Sequence, residues 1–146
     1  FGYSEITSRI PSLIFGVASI PLIFLFAKKL FNKQIGIISS LILTFSLFHV
    51  FWSKIARNYT IFLFFYLLSA YLLYIAFTEY KKNKKNLPLF NKLEINQKYL
   101  ILFLICFLLS FLSHQLSFFM LFSIGFFSIS MLIVRVFQSK EKNKET

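Results

Sequence analysis

Within twelve residues, His49-Val-Phe-Trp-Ser-Lys-Ile-Ala-Arg-Asn-Tyr-Thr60, the chain gathers an imidazole, an ammonium, a guanidinium, a phenol and two hydroxyls. If this stretch is helical, His49, Ser53 and Arg57 share one stripe at i, i+4 and i+8, with Lys54 beside it. Such a stripe is a cationic, hydrogen-bonding surface, and the planar fork of arginine suits bidentate recognition of a phosphate. A second polar spot, Ser113-His114-Gln115, interrupts the apolar sequence far downstream. The chemistry indicated is the holding of an anion. The residue types alone do not say which anion, and they leave open that Arg9, Lys54 and Arg57 merely snorkel to lipid headgroups. His49 and His114 can equally be satisfied polar residues, and Tyr59 an interfacial anchor. A metal centre would need more carboxylates or histidines than this. No cofactor is assigned, and a divalent metal stays open.

These residues are embedded among segments that belong in lipid. Of 146 residues, 58% are hydrophobic, 21% aromatic and 14% charged, and the mean hydropathy is +0.73. A soluble domain carries about 25% charged residues. So little charge cannot cover a water-facing surface, so the bilayer is the expected partner of most of the chain. The net charge of +11 would suggest nucleic acid in a soluble protein. Here the lysines lie between apolar runs, as cytoplasmic loops do under the positive-inside rule, and a nucleic-acid partner is set aside. The lone cysteine, Cys106, lies within an apolar run and reads as a small hydrophobe.

Apolar runs cover residues 10–27, 35–52, 60–77, 99–112 and 116–134. Eighteen helical residues extend about 27 Å, near the thickness of the hydrocarbon layer. The fold class expected is all-α, a polytopic membrane helix bundle with four to five transmembrane helices. Pro11 suits a first helical turn, and Pro21 is expected to kink its helix, which membrane helices tolerate. The run at 99–112 is short and spans only with tilt or thinning, or forms a re-entrant hairpin. Residues 1–8 read as the end of an external loop, 79–98 as a Lys-rich cytoplasmic loop and 135–146 as the start of another. Because the chain opens at Phe1 with a polar stretch, the natural protein is expected to continue upstream.

Alternating sides give a lopsided charge count. One side receives Lys28, Lys29, Lys33, Lys81, Lys82, Lys84, Lys85, Lys92, Lys98, Arg135, Lys140, Lys142 and Lys144, and the other only Arg9, Lys54 and Arg57. The first side is expected to be cytoplasmic. Glu5, Arg9, His49, Lys54, Arg57 and His114 then collect at the external face, where basic residues work against the orientation signal and invite a functional explanation.

Four blocks occur in a telling order: Arg9-Ile-Pro-Ser-Leu-Ile-Phe-Gly16, Lys28-Lys-Leu-Phe31, Gly36-Ile-Ile-Ser-Ser-Leu-Ile-Leu43 and His49 to Tyr59. Together they resemble the superfamily of polyprenyl-phosphate-sugar-dependent glycosyltransferases of the GT-C fold, which includes protein mannosyltransferases and aminoarabinose transferases. The resemblance covers about residues 4–77; beyond that it is one of topology and of the polar spot at 113–115. It implies a membrane transferase, opening to the extracytoplasmic side of a plasma (inner) membrane. Such an enzyme passes a sugar from a polyprenyl-phosphate donor to an acceptor on a glycan, lipid or protein. It further implies that Arg57 contacts the donor phosphate, with Lys54 as a second cation. Arg9, Tyr59, His49, His114 and Gln115 become substrate-binding candidates. The resemblance also implies a catalytic acid, whose main motif would precede Phe1. Glu5 is the candidate within the chain, against a structural role as partner of Arg9 at i, i+4. A transporter, a flippase component or a structural membrane scaffold is the non-enzymatic alternative.

Overall fold

A computed structural model describes residues 5–79, 95–114 and 117–142. Six helices account for nearly all of them: α1 (Glu5–Leu30), α2 (Lys33–Phe45), α3 (Leu47–Lys54), α4 (Tyr59–Thr78), α5 (Gln97–Ser113) and α6 (Ser117–Lys142). No strand occurs among the described residues. The chain is an all-α membrane helix bundle. Two helices are long and apolar enough to cross a bilayer, over Thr7–Leu30 and Tyr59–Thr78; α2 and α3, bent by 56° at their junction, together have the length and composition of either one broken span or a re-entrant loop. The remaining apolar stretches, Gln97–Ser113 and Leu121–Met131, are shorter.

The termini of several helices differ from the apolar runs. α1 starts at Glu5 rather than after residue 8, which places Pro11 in the second turn; the helix continues through Pro11 and Pro21. α6 continues to Lys142, so part of the stretch read as a loop from residue 135 is helical. No Gly or Pro stands between Arg135 and Lys142, and Arg, Gln, Lys and Glu propagate a helix well once it is nucleated. The second apolar run is interrupted at Ser46. Its backbone leaves helical geometry at φ −65°, ψ 112°, and its hydroxyl accepts the His49 N–H at 3.3 Å. Ser46 thus ends α2 and caps α3, which resupplies a partner to a backbone donor freed by the break.

α4 is the central helix, packed on α1 along one side and on α5 along the other, with α6 against both α4 and α5. The apolar core lies at one end, where Leu73, Ala76 and Phe77 of α4 meet Ile95 and Phe103. At that same end the side chain of Lys29 pairs with Glu79, and the Asn96 side-chain amide donates to the Glu79 carbonyl at 2.8 Å.

The packing is inverted relative to a water-soluble bundle. On α1, Ser12, Gly16 and Ser19 face inward, whereas Leu13, Ile14 and Val17 are half or more exposed. The most completely buried side chains include Thr60, Ser19, Ser69 and Ser110. Lipid is as apolar as leucine, so burying leucine gains little against it; small residues and hydroxyls at the contacts let backbones approach and bond instead. Gly36 shows how close the approach is: a Cβ there would lie 2.9 Å from the carbonyl oxygen of Phe24 on α1.

Candidate functional site

The end of the bundle opposite Lys29 is built where α1 begins, α3 ends, α4 begins and α5 ends. α3 stops at Lys54, because Ile55 turns extended at φ −92°, ψ 138°. The stripe expected over His49, Ser53 and Arg57 therefore ends at Ser53; Arg57 lies in the connection to α4. Its backbone is nonetheless held at both of its polar groups. The Arg57 N–H donates to the Ile55 carbonyl at 2.8 Å, and the Arg57 carbonyl accepts the Ser12 hydroxyl at 2.9 Å. Three residues on, the Thr60 hydroxyl donates to the Ser12 carbonyl at 2.9 Å.

A second junction sits one turn further along α1. His49 Nε2 lies 3.1 Å from the Gly16 carbonyl oxygen. A carbonyl only accepts, so Nε2 carries the hydrogen. Gly16 faces Ser53 so closely that a Cβ would come within 2.4 Å of Ser53 Oγ, while Ser53 Oγ itself donates to the His49 carbonyl at 2.7 Å. Interhelical bonds of this kind average about 0.6 kcal/mol in membranes, so their chief effect is to fix register. The two blocks Arg9–Gly16 and His49–Thr60 are one packing unit. Their partnership was not visible in the sequence, although Ser12, Gly16 and Ser53 all stand within the blocks.

Arg57, Tyr59 and His114 frame a hollow of about 330 Å³, completed by Ala56 and Asn58. Tyr59 and His114 have ring centroids 4.7 Å apart. Trp52 lies 4.2 Å behind Tyr59, and Phe62 sits 5.9 Å from His114. The polar spot after α5 and the basic block before α4 thus meet across one aromatic wall. Asn58, Trp52 and Phe62 belong to this site without having been singled out by type; Asn58 and Trp52 could have been found as members of the same block. The Arg57 side chain is exposed. An arginine, a tyrosine and a histidine lining one hollow supply a cation that can grip an anionic oxygen and flat rings on which a sugar or an isoprenoid group can stack.

The other candidates among the described residues do not line this hollow. Lys54 is exposed at the end of α3 and, with Gly16, His49 and Ser53, borders a separate apolar hollow of about 180 Å³. His49 is buried at the α1–α3 contact and is not on the wall of the larger hollow. Arg9 is exposed on the first turns of α1, and Glu5 opens that helix. Gln115 lies outside the described residues. Among the described residues no three of His, Cys, Asp and Glu come together as a metal-binding group.

The sequence pattern of dolichyl-phosphate-mannose-protein mannosyltransferases matches residues 1–143. The chain belongs to that family. The match extends past the blocks at 4–77 to include α5, α6 and the wall contributed by His114, so the two halves of the hollow both lie within the family's sequence pattern. No curated protein and no solved structure matches the chain. Membership makes this mannosyltransferase-family chain an integral membrane glycosyltransferase of the GT-C type.

Proposed function

We propose that this chain is part of a membrane transferase that moves a sugar from a polyprenyl-phosphate donor to an acceptor hydroxyl or phosphate on a glycan, lipid or protein, at the extracytoplasmic face of the plasma (inner) membrane, and that the chain is inactive by itself. Its Lys-rich segments at 79–98 and beyond 135 then lie in the cytoplasm. The observation that carries this reading is the hollow bounded by Arg57, Tyr59 and His114, at the end of the bundle with few basic residues. A cation kept on the side where positive charge is disfavoured, beside aromatic rings at the bundle's rim, suits a phosphate carried at headgroup depth.

In the reaction the acceptor oxygen attacks the anomeric carbon from the face opposite the phosphate. The bond from that carbon to the phosphate oxygen breaks, its electron pair stays on the phosphate, and the sugar inverts. Arg57 stabilises the charge that grows on the leaving phosphate. Lys54 assists from the end of α3, Arg9 contacts the donor from the start of α1, and Gln115, outside the described residues, is a further donor-binding candidate. Tyr59 and His114 hold the flat faces of the transferring group, while His49 supports the wall through α1. The acceptor proton passes to a carboxylate, for which Glu5 is the candidate at this end of the chain.

Arg57→Ala tests the phosphate role, with transfer measured from labelled polyprenyl-phosphate sugar in membranes. Loss of a group that acts on developing charge lowers kcat about 100-fold or more, with a smaller change in KM for the donor. Unchanged turnover removes Arg57 from the mechanism. For sidedness, single cysteines at Asn58 and Lys33 in a Cys106→Ser background should react with an impermeant thiol reagent from opposite faces, Asn58 from outside. Labelling of both from one face, or of Asn58 from inside, would sink the orientation.

A further inference from the structure

Arginine's long side chain reaches only where its Cα allows, and Arg57 lies between helices, where no regular ladder holds the backbone. Of its two backbone groups, the N–H is held locally by Ile55. The carbonyl is held by a hydroxyl from a distant helix, that of Ser12. This use of a serine is a departure from its neighbours. Ser19, Thr44, Ser53, Ser113 and Ser130 all return their hydroxyls to the carbonyl four residues back in their own helix. Ser12 instead reaches across 45 residues of sequence to the residue that frames the hollow.

We propose that Ser12 is a positioning residue for Arg57, setting the point from which the guanidinium reaches into the hollow. The inference rests on the reading of Arg57 as the group that holds the departing phosphate. Ser12 takes part in two bonds that can be separated. Its hydroxyl ties Arg57; its carbonyl accepts Thr60 and joins α1 to α4. Ser12→Ala unties Arg57 and leaves the Thr60 bond in place. Thr60→Val removes the Thr60 bond and leaves Arg57 tied. If Ser12 served packing alone, the two variants would act alike.

The experiment compares kcat and KM for the lipid donor in membranes carrying the whole protein. Ser12→Ala is expected to lower kcat about tenfold, as displacement of a catalytic group by a fraction of an ångström does, with KM within about twofold. Ser12→Thr keeps the hydroxyl and should restore turnover, and Thr60→Val should keep wild-type kcat. In an Arg57→Ala background, Ser12→Ala should cost nothing further, because the residue it positions is gone. Full kcat in Ser12→Ala, an equal loss in Thr60→Val, or an undiminished effect in the Arg57→Ala background would each overturn the proposal. Should Ser12→Ala fail to accumulate, Ser12→Cys, with its weaker donor, is expected to show an intermediate kcat, and wild-type turnover there would overturn it. Full turnover in Arg57→Ala alone instead refutes the phosphate reading itself, so the two failures are distinguishable.

Discussion

The two ends of the bundle are held together by different physics. At the Lys29 end, Leu73, Ala76 and Phe77 pack on Ile95 and Phe103, and the polar contacts, Lys29 with Glu79 and Asn96 with the Glu79 and Ala76 carbonyls, sit at the margin of that apolar core. At the Arg57 end, α1 is joined to the 49–60 block by hydroxyl–carbonyl and imidazole–carbonyl bonds across a glycine. Apolar packing tolerates small slips, because dispersion contacts are many and individually weak. A hydrogen bond does not, since it weakens steeply with angle and distance. The hollow lies at the end where position is specified by directional bonds, and the apolar core lies where only association is needed.

Substitutions can break this contrast. The largest stability loss should come from the apolar end: Phe77→Ala, at a residue only 5% exposed, leaves a cavity among packed side chains and is expected to lower the thermal midpoint in detergent more than the other changes. Turnover per folded molecule should stay unchanged. Gly16→Ala at the other end should cost less, about 1–3 kcal/mol, because Ser53 must give way. It should nonetheless lower kcat. Ser53→Gly in that background should recover both midpoint and kcat. If Phe77→Ala proves the more damaging to kcat, the division between the ends fails. Thr60→Val should lower the midpoint by less, about 0.6 kcal/mol. The smallest effect is expected at the Lys29–Glu79 pair, whose side chains are 42% and 43% exposed: Glu79→Gln should leave the midpoint unchanged in both low and high salt.

The elements were largely legible from run length and composition, because a lipid solvent demands continuous apolar segments and leaves little ambiguity about helix. The break at Ser46 was not. A serine inside an apolar run reads as neutral, and its capping of His49 depends on a local backbone choice that hydropathy does not register. The stripe through Arg57 failed for a related reason: helical spacing was carried past Lys54, where Ile55 turns extended. The approach of Tyr59 and His114 follows from up-and-down helix order, which puts both at the same end. Ser12 and Gly16 were visible as members of a block, but what they touch depends on which helix packs beside α1, and nothing in local sequence encodes that choice.

The crossing bonds also bear on the order of assembly. When α1 enters the membrane, the carbonyl that Ser12 will hold lies 45 residues away in sequence, and the hydroxyl that its own carbonyl will accept lies 48 away. A bare hydroxyl in hydrocarbon is costly, so at this stage the Ser12 hydroxyl turns to its own helix, as that of Ser19 does to Phe15. Only after α4 inserts can it change partners. The exchange trades one bond for another and gains little free energy, so it sets the register of helices already inserted and does not drive their association.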